Sequence, residues 1–254
     1  MKPPMHLPLL FDGRHYDRHW RHLTADIPFW LNQAGKFGGP ILELACGTGR
    51  VSLPLAKAGF AVTGVDISDS MLGEARKKAA AEDVAIEWLK GDVRSFNLGR
   101  KFPLVIFPFN TIAVMHEIED FEACLGSAKR DLAPGGRFII DVFNPSLDIL
   151  RRDPNQRFPH CEYPDPDGQG NVVVMESSAY DAACQINRVQ LFFTLPGRAK
   201  EVVEEFTVRV YFPRELDALL KYNGLTMESK FGNYDESPFT AASPKQLIIC
   251  TAIG

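Results

Sequence analysis

The stretch Ile41-Leu42-Glu43-Leu44-Ala45-Cys46-Gly47-Thr48-Gly49-Arg50 sets an acid, two glycines and a cation close together. The apolar run with glycines behind it reads as a buried strand, a tight turn and a helix start. A second acid, Asp66, closes another apolar run, Ala61-Val62-Thr63-Gly64-Val65. Two acids about twenty residues apart around such a turn suit an adenine nucleoside. The turn admits a ligand to the backbone, and the second acid takes the ribose hydroxyls. A dinucleotide loop needs a third glycine beside its pyrophosphate, and Ser52 stands at that position. Glu43 would also repel a pyrophosphate at short range. It suits a ligand that carries an ammonium group and no phosphate.

S-adenosylmethionine (SAM) has an ammonium, a sulfonium and a ribose diol, and here the chain resembles the class I SAM-dependent methyltransferases. Their first motif, apolar-apolar-acid-apolar-G-x-G-x-G, is matched from Ile41 to Gly49 except at Ala45. Their ribose acid is matched by Asp66, and their acid after the third strand by Asp92 in Gly91-Asp92-Val93. The run Leu132-Ala133-Pro134-Gly135-Gly136-Arg137-Phe138 resembles their L-x-P-G-G turn. The resemblance implies SAM as cofactor, with Glu43, Ala45, Gly47 and Gly49 around it and Asp66 on the ribose. It implies the Asp92 carboxylate and the Val93 amide on the adenine, with Met71 either against that ring or in the core. Ile67 and Phe109 join the cofactor set as neighbours in the same loops. Arg50 opposes the dipole of the helix it starts, which marks a specific contact or a solvated position. Tyr16, on an N-terminal arm, would reach the cofactor carboxylate as a tyrosine does in similar enzymes.

Methyl transfer from a sulfonium is an in-line displacement, so the protein mainly aligns the partners and excludes water. A base is needed only for an acceptor that is protonated at working pH. The loop Pro108-Phe109-Asn110-Thr111 lies where the methyl group is expected, and Asn110 is the catalytic candidate there. The Asn/Asp-Pro-Pro-aromatic loop of amino-methylating nucleic-acid enzymes is not matched. Related small-molecule enzymes often carry a histidine where Val114 stands, and His116 lies two residues further on. His116 and Tyr16 complete the catalytic candidates. His15, His19 and His22 would share a helical face, but no Cys or Glu joins them in sequence, so no metal is expected.

The chain has 254 residues, a formal net charge of −4 and a pI near 5.9. No long basic run points to nucleic acid. Five scattered cysteines without a C-x-x-C pair fit reduced thiols and a cytoplasmic protein. The start, Met1-Lys2-Pro3-Pro4, reads as no signal peptide, and no segment is long and apolar enough to span a membrane.

These residues need a scaffold of alternating strands and helices. The pattern predicts a helical arm over 17–34, with Pro28 the candidate point of division, and strands ending near Leu44, Asp66, Lys90, Phe107 and Phe143. The expected fold is α/β: a doubly wound, mostly parallel, seven-stranded Rossmann-like sheet of methyltransferase type. After Phe143 the alternation breaks. Residues 144–170 read as loop with one short helix, and 171–212 show period two, an antiparallel sheet with one buried face. The arm and core would occupy 1–143 and 213–254, and the insert 144–212. The insert resembles the small sheet of amino-sugar N-methyltransferases. It would cover a small-molecule acceptor or contact a second copy of the chain. The reading is SAM-dependent methyl transfer to a nitrogen or oxygen of a small molecule. Its rivals are an NAD-type oxidoreductase, a nucleic-acid methyltransferase and a SAM-binding module without catalysis.

Overall fold

The computed structural model describes residues 9–10, 12–168 and 170–253; the proline-broken segment 1–8, read above as no signal peptide, lies outside the described residues. Helices α1 (Gly13–His19) and α2 (Ile27–Phe37) precede β1 (Ile41–Leu44), α3 (Ser52–Lys57), β2 (Val62–Asp66), α4 (Asp69–Ala81) and β3 (Glu87–Lys90). Then come β4 (Phe102–Phe107), a 3₁₀ turn over Thr111–Val114, α5 (Ile118–Asp131), β5 (Leu132–Phe143) and α6 (Leu147–Leu150). Strands β6 (Phe158–Pro164), β7 (Asn171–Asp181), β8 (Ile186–Thr194) and β9 (Val202–Arg209) follow, and α7 (Pro213–Tyr222), β10 (Leu225–Phe231) and β11 (Lys245–Ala252) close the chain.

The contacts divide the chain into two compact units. One holds the described part of Met1–Leu23 with Ser146–Val210, the other Thr24–Pro145 with the described part of Tyr211–Gly254. The larger unit is a seven-stranded sheet in the order β10-β11-β5-β4-β1-β2-β3. Strands β1 to β5 pair in parallel, while β11 runs antiparallel to both β5 and β10. Every residue of β1 and β2 is buried, which explains their nearly unbroken apolar runs. One face of the sheet is sealed by Phe29 and Trp30 of α2, by Leu55 of α3 and by Val51 just before it, packed on Ile41, Leu104, Ile106 and Ile139. Each such side chain stabilises the fold by about 1.5–3 kcal/mol when fully buried. Ser68 caps α4 by accepting from the Met71 N–H at 3.3 Å.

The smaller unit is an antiparallel sheet in the order β6-β7-β8-β9. Val172 and Val174 enter its core with Tyr163, Leu191 and Phe193, while the intervening Val173 is 39 % exposed. That alternation is the period-two signal seen in the sequence. Buried Glu204 accepts from the backbone N–H groups of Leu9 (2.7 Å) and Leu10 (3.1 Å), which ties the arm to β9.

Three expectations need correction. The helix expected over 17–34 is two helices, with Pro28 in the first turn of α2 and not at the break. The loop expected over 144–170 contains β6 as well as α6. Pro159 and Pro164 hide β6 from a sequence reading, because proline is tolerated only at sheet edges and strand ends, and β6 is an edge strand. The arm groups with the inserted sheet and not with the larger unit: His15 Nδ1 lies 3.1 Å from the Tyr163 hydroxyl, and His19 Nε2 lies 2.9 Å from His160 Nε2.

Candidate active site

The carboxyl ends of β1, β2, β3 and β4 bring the sequence candidates of the larger unit to one edge of its sheet. Strand order reverses at β1, which lies between β4 and β2, and open α/β sheets bind ligands at such a point. The loop after β1 turns through residues with positive φ: Ala45 at 51°, Gly47 at 55° and Gly49 at 81°. A Cβ on Gly47 would meet nothing within 4 Å, so this loop leaves open space for a ligand. A Cβ on Gly49 would come within 2.6 Å of Trp88 Cη2, so Trp88 packs directly on the glycine backbone. Ala45 occupies the left-handed conformation despite its side chain, at a cost of roughly 1–2 kcal/mol.

Asp66 ends β2 and is 8 % exposed. Its Oδ2 accepts from the Gly47 N–H and its Oδ1 from the Ser68 N–H, both at 2.8 Å. Burial raises its pKa against the pull of those backbone donors. A carboxylate has about four acceptor positions, so it can accept further hydroxyls while holding the loop. Ile67, beside it, is 49 % exposed, and so is Val114; Ile118 is 46 % exposed. These large apolar side chains follow the carboxyl ends of β2 and β4. Met71 and Val93 are buried. Asp92 accepts from Arg94 Nε (3.0 Å) and Nη2 (2.6 Å), and this guanidinium lowers its pKa.

Glu43 is fully buried, and its Oε2 accepts from the Ser52 hydroxyl. Burial pushes its pKa from the ordinary 4.5 up to about 8, despite the Ser52 hydrogen bond and the nearby Arg50. Folded Glu43 therefore binds its proton more tightly than unfolded Glu43. The stability it contributes is full below about pH 4.5 and is lost as pH rises through about 8. Chemical unfolding across that window should show stability falling with pH in the wild type and a flatter profile in Glu43→Gln. Equal profiles would mean that Glu43 is ionised in the fold.

Arg50 is committed to Asp26, a residue that sequence reasoning missed. Its Nη1 and Nη2 donate to the two Asp26 oxygens at 2.6 and 2.8 Å, and its guanidinium lies 5.2 Å from the centre of the Phe109 ring. The loop after β4 is strained: Phe109 and Asn110 have φ of 58° and 60°. Asp141 of β5 holds it. Its Oδ2 accepts from the Phe109 N–H at 3.0 Å, and its backbone oxygen from the Asn110 N–H at 2.9 Å. Lys245 Nζ donates to Asp141 Oδ1 at 3.0 Å, and the Tyr234 hydroxyl to Oδ2 at 2.8 Å. Burial, with Asp141 beside it, raises the Tyr234 pKa. Lys245 Nζ also lies 3.4 Å from Asn110 Oδ1. The one sequence signal for this cluster was an acid inside the apolar run Phe138-Ile139-Ile140-Asp141-Val142.

His116 lies half-buried between the 3₁₀ turn and α5. Tyr16 belongs to α1 in the smaller unit and is half-buried there.

Residues 41–136 match the family model described as a methyltransferase domain. The cypemycin N-terminal methyltransferase of a Streptomyces species is 29 % identical over 226 residues, covering 89 % of this chain and 88 % of the relative. The solved CcbJ methyltransferase from Streptomyces caelestis is 26 % identical, with a TM-score of 0.78 and 91 % of each chain covered. The sugar N-methyltransferase KedS8 from Streptoalloteichus sp ATCC 53650 shares the fold at 18 % identity, with a TM-score of 0.71 and coverage of 94 % of this chain and 93 % of that one. Residues 41–136 thus form a methyltransferase domain of the SAM-dependent type, with SAM as its cofactor. That decides between the two readings of the glycine loop, against the NAD-type oxidoreductase. Among the described residues no helix is long and apolar enough to cross a membrane.

Proposed function

We propose that the protein transfers the SAM methyl group to an amino nitrogen of a small molecule. The observation that carries the cofactor half is the joint placement of buried Glu43, the open glycine loop and Asp66 at the reversal point of the sheet. The acceptor half is supported by the names of two relatives, one an N-terminal methyltransferase and one a sugar N-methyltransferase. When bound, SAM supplies an electrophilic methyl group on a sulfonium.

The chain's own residues do the rest. Asp66 accepts the ribose hydroxyls while keeping its two backbone donors. Glu43 places a carboxyl group where a cofactor ammonium is expected, and Asp92 and Val93 meet the adenine. Ile67, Val114 and Ile118 cover the site and exclude water. Asn110, at the end of β4, aligns the acceptor through an amide in a fixed backbone conformation. His116 takes a proton from an ammonium acceptor, if one is used.

Calorimetry with SAM, S-adenosylhomocysteine and NAD tests the cofactor half. The first two should bind and NAD should not. Asp66→Ala should weaken SAM by about 1–3 kcal/mol, the cost of leaving a hydroxyl without its charged acceptor. Tight NAD binding without a response to SAM would overturn the reading, and unchanged SAM affinity in folded Asp66→Ala would remove Asp66 from the site. Mass spectrometry of small amines and the matching alcohols after incubation with SAM tests the acceptor. Methylation of alcohols alone would refute the amine.

A further inference from the structure

We propose that His19, His160 and Cys161 form a site for a transition-metal ion of the zinc class, which joins the N-terminal helix to the inserted sheet. His19 Nε2 and His160 Nε2 face each other at 2.9 Å. The imidazole nitrogens and Cys161 Sγ all lie within 4.8 Å of one another. Two bonds of about 2.0–2.1 Å at a tetrahedral centre would separate the nitrogens by about 3.3 Å, so the rings need to part only slightly.

The backbone explains how neighbours in a strand share one site. Consecutive strand residues normally point to opposite faces. Between Pro159 and Cys161 the pairing of β6 with β7 shifts register: Pro159 pairs Met175 and Cys161 pairs Val174. His160 is the extra residue of a bulge, and bulges re-aim side chains in this way.

The second imidazole nitrogen of His160 is also in use. Nδ1 lies 2.8 Å from Glu176 Oε2, and Arg152 Nη1 holds the other oxygen of that carboxylate at 3.0 Å. A neutral His160 that donates from Nδ1 presents a lone pair at Nε2, the tautomer a metal requires. A carboxylate behind a ligating histidine is the usual partner of such sites. Trp20 stacks on His19 with ring centres 4.5 Å apart, and shields it. Two imidazoles and a thiolate suit zinc, cobalt or copper and disfavour magnesium and calcium. Three protein ligands leave a fourth position for water. His15, Asp165 and Asp167 form another cluster, but the Arg14 guanidinium already pairs with Asp167 there and opposes a cation.

Cobalt(II) titrated into the full-length chain, stripped beforehand with a chelator, tests the site. A thiolate-to-cobalt charge-transfer band should saturate at one ion per chain. Cys161→Ser should abolish the band, and Cys184→Ser, at an exposed cysteine, should leave it unchanged. Glu176→Gln should weaken cobalt at least tenfold, within the 10–100-fold range typical of such partners. Zinc should raise the melting temperature of the wild type and not of Cys161→Ser. His19→Ala should also lose binding; if it fails to fold, Cys161→Ser decides alone. Absence of the band in the wild type, or its survival in Cys161→Ser, would overturn the site.

Discussion

Asp141→Ala is expected to cost about 3–5 kcal/mol of stability, the usual loss when one partner of a buried ion pair is removed. Asp141 is fully buried in β5, and one carboxylate serves Lys245, Tyr234 and the Phe109 N–H. Without it, the Lys245 ammonium keeps the weaker approach to Asn110 Oδ1 and its place 5.4 Å from the centre of the Tyr234 ring. Two consecutive side-chain-bearing residues at positive φ add roughly 1–3 kcal/mol of strain each. Such strain persists only where surrounding contacts over-determine it. The Asp141 carboxylate supplies one of those contacts and its backbone oxygen another. The variant should therefore lose the alignment at Asn110 as well as stability, and its methyl-transfer rate should fall more than its SAM affinity. Asp141→Asn keeps the shape and removes the charge, and should fall between the two. Urea unfolding, with single-turnover rates and SAM affinity on the folded fraction, measures both effects. A stability loss under 1 kcal/mol with an unchanged denaturant slope would show that the cluster does not hold the loop.

The cofactor edge was legible because its parts are local. Glu43, Gly47 and Gly49 lie on one strand and turn, and Asp66 ends the next strand. Each carries a signal that depends on chain neighbours alone. Asp141, Lys245 and Tyr234 meet only because β11 pairs antiparallel with β5, with Lys245 opposite Phe143. Nothing local to Lys245 shows that it is half-buried. The arm was misread for a related reason. Its apolar residues continue past the true break, and Asp26 looks like an ordinary helix cap. Its carboxylate makes no cap hydrogen bond in the structure, because Arg50 and Trp30 occupy it. Arg50 was open between contact and solvent on sequence grounds. The deciding partner lies 24 residues upstream, beyond the reach of any spacing rule. His160 and Cys161 lie in a segment that reads as loop, and only the bulge in β6 puts them together.

Asp26→Ala is expected to cost about 3–5 kcal/mol, for the same reason as Asp141→Ala but in a different part of the site. Asp26 is fully buried, and the Arg50 side chain is 16 % exposed. The bond is bidentate, and Trp30 Nε1 donates to Oδ2 at 3.0 Å. Removing Asp26 takes the paired carboxylate from the Arg50 guanidinium and the acceptor from the Trp30 indole N–H; removing Arg50 takes the paired cation from a buried carboxylate that still accepts from the indole. Each single variant thus includes the cost of an uncompensated charge, whereas the double variant Asp26→Ala/Arg50→Ala leaves neither. The double variant should therefore cost less than the sum of the singles, by about 0.5–3 kcal/mol. The pair also ties the start of α2 to the turn after Gly49 and sets Arg50 against Phe109. Loosening it should weaken SAM binding in Asp26→Ala, although Asp26 itself is too deeply buried to touch a ligand. Additive costs in the cycle would show that the two residues act independently. SAM affinity unchanged in folded Asp26→Ala would show that the glycine loop keeps its conformation without the pair.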